Sequence, residues 1–455
     1  MKNRFLLIYL ILLTFLPSCL DESSPNFLNA EETIVDGASA EAAVIGLYSA
    51  MQQPGYYGEA FLLTSEGHTD NATTGGYQNL SLDQIGNREV TGVNVISESI
   101  WTAIFRVIAN ANLILKFLPA IDDLDIRQKN HLEGEVRAIR AMAHFDLLRY
   151  YGEHWNINST AGIPVIQSPQ GLKDRPARAS VLASYQFIIS EISKAAGLID
   201  QQIKDKAFIN IHTINALLAR IYLYRGENEK AVEHATKVIA SGDFQLLDAV
   251  RYQDVFRTKL STESIFELLF DSQNRSGYNG STYSRTDALR SELNYLAAKN
   301  LEDFFKGRPG DVRGLLLNFS TNDNDATILP DGRTQKYRGE TTRDNPAFII
   351  RYAEMFLIRA EALGNIKGLA DLNFLRQKRG LAVLTPGQVS TAEDFLLAIL
   401  NERRAELNFE GHRYFDLARK RKINSVLNIS DFRSVFPIPN REMIANPNLK
   451  QNPGY

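Results

Sequence analysis

The chain is poor in cysteine, since Cys19 is the only one among its 455 residues. A single thiol cannot form an intramolecular disulfide bond, so the fold has to be stabilised by its packed core. A chain of this length with 44% hydrophobic residues can bury a large core without cross-links. Positive charge is also not in excess, because the formal net charge is −3. This mild acidity argues against a nucleic-acid partner, which requires a basic surface.

Recognisable catalytic and metal-binding patterns are also missing. The seven histidines are scattered and form no HxxxH or HExxH pair, which argues against a zinc site. There is no GxSxG nucleophile motif and no phosphate-binding glycine loop. Asp323, Asp325 and Asp331 lie near Gly332 but lack the spacing of an EF-hand, so no metal or cofactor is predicted. A pair of glycosidase carboxylates leaves no spacing in a sequence, so a glycosidase stays an open alternative.

What is present begins with an export signal at residues 1–18. Lys2 and Arg4 precede an apolar run of twelve residues, which has the length of a signal-peptide core and is short for a membrane span. Cys19 follows this run after Pro17 and Ser18, in the position of a lipoprotein cleavage site whose thiol accepts the lipid. A secretory peptide with an incidental cysteine is the alternative. We therefore predict lipidation of Cys19 and a lipidated tether over residues 19–37.

Helical periodicity dominates the rest of the chain. Residues 212–240 and 350–379 each combine a helix, a glycine-containing turn and a second helix with small residues at close-approach positions, the pattern of a tetratricopeptide unit. Such pairs bury their apolar faces only against neighbouring pairs, so an all-α, tetratricopeptide-like superhelix is predicted for one domain spanning 38–455. Further helices are predicted at 38–53, 97–118, 127–151 and 179–199.

Two stretches, 54–95 and 271–346, are predicted to be long irregular loop insertions with a binding function. They contain tyrosines among amides, carboxylates and arginine. This composition suits a sugar, because a flat ring covers the C–H face of a pyranose and polar groups bind its hydroxyls. For each tyrosine, the alternative role is to attach its loop to the scaffold. The predicted ligand-binding residues are Tyr77, Tyr278 and Tyr283, with Asp70, Asn71, Asn279 and Arg285 as polar partners.

Charged residues also follow an apolar stripe near the C-terminus, in residues 391–419, which are predicted to form one long helix. Arg403 lies in line with apolar positions, and a charge on a packed face requires a partner. The three-residue spacings predict the ion pairs Arg403–Glu406 and Glu410–Arg413. A structural ion-pair ladder is the favoured interpretation of these residues, and a carboxylate–arginine active site is the alternative.

Two C-terminal segments resemble a known family. Residues 402–419, ERRAELNFEGHRYFDLAR, and 435–455, VFPIPNREMIANPNLKQNPGY, resemble the signature of SusD/RagB-type nutrient-binding outer-membrane lipoproteins of Bacteroidetes. Residues 133–152, 212–240 and 350–363 are similar to the same family. The resemblance implies four tetratricopeptide-like helix pairs, a ligand site in variable loops on one side, and no catalysis. Because the loops vary, no binding residue is carried over by motif.

The resemblance also implies a partner and a location. Such proteins act as lids on SusC-like, TonB-dependent outer-membrane transporters and capture oligosaccharides or, in some branches, peptides. We therefore expect a lipid-anchored cell-surface protein of the outer membrane that delivers an oligomeric nutrient to a transporter, without catalysis. A surface lipoprotein glycosidase and a membrane-tethered repeat scaffold for protein partners are the alternatives.

Overall fold

The computed structural model describes residues 33–74, 79–277, 294–318, 332–337 and 344–455. Helices make up most of this part of the chain, which confirms the predicted all-α class. The strands within these ranges are short and pair into two-stranded antiparallel sheets. The core is therefore formed by helix faces, and the small sheets serve to join segments that are distant in the sequence.

The N-terminal half begins its long helices at side-chain caps. Asp36, Asn94 and Asp125 precede three of these helices, and each side chain accepts a backbone N–H of the first turn. A cap of this kind satisfies a donor that has no partner inside the helix. The elements are α1 (Gly37–Met51), α2 (Ala60–Gly67), β1 (Ala72–Thr74), α3 (Leu80–Gly86), α4 (Val95–Phe117), α5 (Ile126–Tyr151), α6 (Val181–Leu198), α7 (Ile211–Arg225) and α8 (Asn228–Ile239).

The C-terminal half mixes short strands with helices. Strand β2 (Ser264–Leu268) pairs with β6 (Ala347–Arg351) with an irregular register, and β6 leads directly into α11 (Tyr352–Lys367). The predicted helix at residue 350 therefore begins at Tyr352, after a buried strand. The elements are α9 (Asp254–Arg257), β2 (Ser264–Leu268), β3 (Tyr295–Ala297), α10 (Lys299–Lys306), β4 (Leu317–Asn318), β5 (Arg333–Thr334), β6 (Ala347–Arg351), α11 (Tyr352–Lys367), α12 (Leu369–Lys378), α13 (Ala392–Leu407), α14 (Arg413–Arg419), α15 (Ile423–Leu427) and α16 (Asn440–Ala445).

The long helices stack in a row, which is the arrangement predicted from the repeats. Helix α4 packs on α5, α5 on α6, α6 on α7, α7 on α8, and α8 on α11. In the α7–α8 unit, Ala216, Ala219 and Ala231 are fully buried where the two helices approach closely. Gly226 turns the chain between them with a φ of 83°, a left-handed conformation that glycine adopts without strain. The tetratricopeptide-like interpretation of residues 212–240 is confirmed.

Helix α4 is both long and apolar. Among the residues that the structure describes, Val95–Ala120 is the one segment with the length and hydropathy of a membrane span. Its residues Ile100, Ile104 and Ala111 are fully buried, and the helix packs against α1, α2 and α5. This buried face makes α4 a core helix of the scaffold.

The predicted single helix over residues 391–419 is wrong. Helix α13 ends at Leu407 and α14 begins at Arg413. Phe409 and Gly411 have φ angles of 57° and 78°, so the chain reverses through left-handed conformations that end a helix. A Cβ at position 411 would lie 2.5 Å from the side chain of Leu62 on α2. The glycine therefore permits both the turn and the close approach of a neighbouring helix.

The two predicted loop insertions are only partly irregular. The first, 54–95, contains α2, β1, α3 and the start of α4, and the second, 271–346, contains β3, α10 and short strands. Every residue of α2 is buried, so this short helix shows no amphipathic stripe that the sequence could reveal. Burial by the surrounding chain thus stabilises elements that local periodicity does not indicate.

Candidate functional site

A buried ionic network is centred on Glu406. Glu406 of α13 accepts hydrogen bonds from Arg351 Nη1 at 2.9 Å and from Arg379 Nε at 2.9 Å. Arg379 also reaches Glu263 at 2.8 Å, and the four side chains are 0–1% exposed. Burial raises the pKa of the Glu406 carboxyl, but the charges of Arg379 and Arg351 outweigh it and hold that pKa well below its usual value. A carboxylate enclosed in this way cannot reach a ligand, so the structural interpretation is supported.

The ion pairs of this region differ from those predicted from spacing. Arg403 Nε donates to Asp416 Oδ2 at 2.7 Å, so its salt-bridge partner is Asp416, not Glu406. Arg413 pairs with Asp70, near β1, and Glu410 pairs with Arg351. The predicted pairs assumed one continuous helical surface. Because the chain reverses after α13, residues on either side of the turn face different neighbours.

Asp70 and Asn71, two of the predicted ligand-binding residues, lie at the base of β1. Arg413 Nε and Nη2 donate to the two Asp70 carboxylate oxygens at 2.9 and 3.0 Å. The Asn71 amide accepts from Arg404 Nε and donates to Glu66 Oε1, each at 2.7 Å. The Asp70 side chain is 12% exposed, whereas Asn71 is fully buried. A direct ligand contact through Asn71 would require its amide to leave both partners.

Glu66 joins this base to the turn after α13. Its Oε1 atom also accepts the backbone N–H of Phe409 at 2.8 Å. Burial raises the pKa of the Glu66 carboxyl to about 7, and the hydrogen bonds from Phe409 and Asn71 only partly oppose that rise. The base of β1 is thus held by a carboxylate that takes up a proton near neutral pH.

The pairing of β1 with β3 brings the two predicted binding loops to one edge. Thr74, the last residue of β1, pairs with Tyr295, the first residue of β3. In an antiparallel pair, the exit of one strand lies beside the entry of the other. Segments 75–78 and 278–293 therefore join the described structure at the same end of this sheet. The predicted residues Tyr77, Tyr278, Asn279, Tyr283 and Arg285 belong to these segments and lie outside the described residues.

A tight turn between α1 and α2 forms the floor at this edge. A Cβ at Gly55 would lie 2.6 Å from the Ser99 carbonyl oxygen of α4, so the turn packs directly on that helix. The Tyr56 and Tyr57 hydroxyls both donate to Asp146 Oδ2 of α5 at 2.5 Å. These tyrosines are buried anchors of the floor.

The start of the second loop is attached to the same floor. The Gly277 N–H donates to the Gly58 carbonyl at 3.2 Å. Asn274 Nδ2 donates to Gln52 Oε1 at 2.8 Å, and Gln52 Nε2 donates to the Leu269 carbonyl. The chain therefore leaves the described structure at Gly277, beside the turn.

A pocket of about 390 Å³ opens between these segments. Its apolar walls come from the turn and from α2, α3 and α4, and its polar groups come from loop ends and helix starts. A concave, mostly apolar surface with a few polar groups is typical of a small-ligand site. The lining residues are Pro54, Gly55, Glu59, Ala60, Leu63, Asn79, Leu82, Ile96, Ser99 and Asn294.

The polar residues of this pocket were not identified from the sequence. Asn79 is the N-cap of α3 and accepts the Ser81 and Leu82 N–H groups at 2.9 and 3.1 Å, a role visible in the sequence only as a helix start. Glu59, Ser99 and Asn294 reach the pocket from three separate segments. No local pattern connects such residues, because only the tertiary fold brings them together.

Comparison with known proteins decides the family. A model described as the SusD family matches residues 317–429, and one described as starch-binding, associating with outer membrane, matches residues 18–223. The chain belongs to the SusD/RagB family. The second description places these proteins at the outer membrane, and this protein is accordingly an outer-membrane protein of the cell surface.

Full-length relatives and solved structures agree with this SusD/RagB assignment. SusD-like protein P2 of Formosa agariphila is 23% identical, and the match covers 100% of both chains. A SusD superfamily protein from Bacteroides thetaiotaomicron is 25% identical with a TM-score of 0.80, covering 92% of this chain and 100% of that one. A laminarin-binding SusD-like protein, 22% identical with a TM-score of 0.78, shares the fold over 92% of this chain and 100% of its own.

Proposed function

We propose that the protein binds an oligosaccharide at the cell surface and delivers it to a SusC-like, TonB-dependent transporter without catalysing a reaction. One observation carries the proposal: Asn79, which follows the first tyrosine segment, Asn294, which follows the second, and the turn after α1 line one pocket. Both tyrosine-bearing segments join the structure there. The starch-binding description of the family and the laminarin-binding protein of the same fold support a glycan as the ligand.

The proposed site combines aromatic residues of the loops with polar residues of the pocket. Tyr77, Tyr278 and Tyr283 would cover the C–H faces of sugar rings, and Asn279 and Arg285 would bind hydroxyl groups. Asp70 supports this site from behind through its bidentate contact with Arg413. The described pocket adds Glu59, Asn79, Ser99 and Asn294.

The carboxylates of the described structure support binding without hydrolysis. A glycosidase places two carboxyl groups on either side of the scissile bond, about 5–10 Å apart. Of the described residues that line the pocket, Glu59 is the one carboxylate. Glu402, Glu406 and Glu263 are enclosed with arginines at 0% exposure.

The delivery step follows from the location. A surface protein that captures a ligand requires a membrane-spanning partner to move it inward. We propose that Cys19 carries the lipid anchor and that residues 19–37 form the tether that keeps the protein at the transporter. The stacked helices offer the extended face that a large interface uses.

The test is a double substitution in the second loop. Replacing Tyr278 and Tyr283 with alanine should weaken oligosaccharide binding by about tenfold or more in calorimetric titration, because two ring contacts are lost. The matched control is Phe374→Ala, which removes an aromatic ring that is 42% exposed on α12, outside the pocket.

Purification in mild detergent tests the partner. The alanine double variant should still co-purify with a β-barrel transporter, since the loop tyrosines serve the ligand in this proposal. Oligosaccharide affinity that is equal in the double variant and in Phe374→Ala would contradict the tyrosine site. Recovery of the wild-type protein alone, from cells grown on the inducing glycan, would contradict delivery.

A further inference from the structure

Helix α4 lines two recesses, on opposite sides. Ile96 and Ser99, in its first turns, line the loop pocket described above. Phe105, Asn112 and Lys116 line two adjoining cavities elsewhere. At 3.6 residues per turn, these three residues form one stripe that lies about half a turn from Ile96 and Ser99. The second recess is therefore separate from the proposed loop site.

The two adjoining cavities form one groove, here called the α4 groove. Their volumes are about 380 and 590 Å³, and both are lined by Asn112 and Ser168. From Phe105 to Lys116 the helix rises about 16 Å at 1.5 Å per residue. A groove of this length suits an extended ligand of several units better than a single small molecule.

Hydrogen bonds hold one wall of the groove in place. Asn112 Nδ2 donates to the carbonyl oxygens of Ile166 and Ser168 at 3.2 and 3.3 Å. Arg140 Nη1 donates to Asn112 Oδ1 at 2.6 Å and to the Gln167 carbonyl at 3.1 Å. The extended segment between α5 and α6 is thus fixed against α4. A site formed in advance binds without the entropic cost of ordering a loop.

One end of the groove is mostly apolar. The partly buried Phe105 lines this end with Pro164 and Leu449, and the charged residues Asp174, Arg175 and Glu442 also line it. Asn446 Nδ2 donates to the Pro176 carbonyl at 2.8 Å and so joins the C-terminal segment to the rim of the groove. An aromatic ring beside amide groups is the combination that suits a sugar ring.

The other end is cationic. Glu191 is the one carboxylate among the described residues that line it, and it accepts hydrogen bonds from Arg137, Arg140 and Lys194. Arg137 also pairs with Glu133, at 2.7 Å. The basic side chains of this lining are Lys116, Arg137, Arg140 and Lys194.

The pairing at this end is incomplete. Arg140 is 4% exposed, and its Nε atom has no hydrogen-bond partner within the described part of the chain. Burial lowers the pKa of the Arg140 guanidinium, and the hydrogen bond that it donates to Glu191 only partly opposes that effect. The positive charge of Arg140 borders the groove, so an anionic group there would be attracted to it without reaching the buried Nε atom.

We propose that the α4 groove is a second binding site, for an oligosaccharide that carries carboxylate or sulfate groups. The cationic end binds the anion, because arginine and lysine are the side chains that pair with these groups. The apolar end accepts a ring. The identification of the anionic ligand as a sugar rests on the proposed function. The anion site itself rests on the residues of the groove.

The test removes charge at two exposed lysines of the cationic end, Lys116 and Lys194. The full-length protein is titrated with a trigalacturonate, a sulfated trisaccharide and a neutral trisaccharide. In the variant Lys116→Gln with Lys194→Gln, affinity for the acidic trisaccharides should fall about tenfold. The control, Lys230→Gln with Lys237→Gln, makes the same charge change on α8, where both side chains are at least 50% exposed, and should bind as the wild type does.

The outcomes separate this proposal from the previous one. The Tyr278 and Tyr283 alanine variant should keep its acidic-ligand affinity and lose only neutral-ligand affinity, and the two acidic probes then identify the preferred anion. Equal affinities in the groove variant and the α8 control would overturn the groove site. So would a wild-type protein that binds neither acidic trisaccharide. A variant that loses affinity only for the neutral trisaccharide has lost the loop site, and its retained affinity for the acidic trisaccharides supports the groove site.

Discussion

The network around Glu406 and the α4 groove both combine carboxylates with basic side chains. The charges are fully paired in the network and only partly paired in the groove. In the network, Glu406 and the arginines around it are at most 1% exposed, and one carboxylate accepts hydrogen bonds from several guanidinium groups. In the groove, Lys194 is 56% exposed, and Arg140 keeps a buried donor for which the described residues supply no partner. Complete pairing fixes a fold, whereas incomplete pairing beside an open recess leaves capacity for a ligand.

The largest loss of stability should come from a substitution in the buried network. Glu406→Gln leaves the charges of Arg351 and Arg379 without their shared carboxylate. Removing one partner of a buried pair costs about 3–5 kcal/mol, so the free energy of unfolding should fall by that amount in urea titrations. Ligand affinity, measured well below the melting transition, should stay close to that of the wild type.

The matched control lies on the same helix. Glu393, in the first turn of α13, is 70% exposed and pairs with Lys422 at 2.7 Å. Glu393→Gln should change stability by no more than about 0.5 kcal/mol. If Glu406→Gln melted like this control and lost ligand binding, the network would belong to the binding site.

A smaller, pH-dependent effect should appear at the base of β1. The pKa of Glu66 is raised by burial from 4.5 to about 7. Between these values the folded state keeps a proton that the unfolded state has lost, so this group makes stability fall as pH rises through 7. Titration of Glu66 lowers the free energy of unfolding by up to about 1.4 kcal/mol per pH unit. Glu66→Gln should abolish this loss.

The measurement is the difference in stability between the variant and the wild type. In urea unfolding measured from pH 5 to 8, the free energy of unfolding of Glu66→Gln should increase relative to that of the wild type as the pH rises. The difference isolates this carboxyl from buried histidines such as His68, whose pKa burial lowers to about 3 and whose effect has the opposite sign. A difference that is independent of pH would show that Glu66 titrates normally.

The sequence predicts the helix stack well because its signals are local. The α7–α8 unit is set by apolar periodicity and by the glycine at the turn, and it extends over residues 211–239 against the predicted 212–240. Helix α2 gives no such signal, because it is short and buried on every side. The break after α13 depends on Leu62 of another helix, so spacing within residues 391–419 could not reveal it.

The site was predictable only as a region. Composition pointed to residues 54–95 and 271–346, and the pairing of Thr74 with Tyr295 brings the ends of both stretches together. The pocket itself is lined by residues from several segments whose contact has no sequence signature. Asn71 shows the limit of composition most directly, since a polar residue in a binding loop proves to be fully buried between Arg404 and Glu66.

The smallest effect on stability should come from Lys194 in the α4 groove, and the buried Lys336 is its matched comparison. Lys336 is 0% exposed, and its ammonium donates to Glu410 at 2.6 Å and to the carbonyls of Glu406 and Asn408 at 2.9 Å. Lys194 contacts Glu191 at 3.4 Å and is 56% exposed. Lys336→Gln should therefore destabilise the protein strongly, because it leaves a buried carboxylate and the end of α13 without their donor.

The same change at Lys194 should shift the free energy of unfolding by no more than about 0.5 kcal/mol, since an exposed pair contributes little. Its affinity for an acidic trisaccharide should nevertheless fall, because the groove loses one of its cations. Thermal melting and titration of both variants measure the two effects side by side. If Lys194→Gln destabilised the protein as much as Lys336→Gln, the cations of the α4 groove would be part of the scaffold, and the incomplete pairing around Arg140 would have no bearing on ligands.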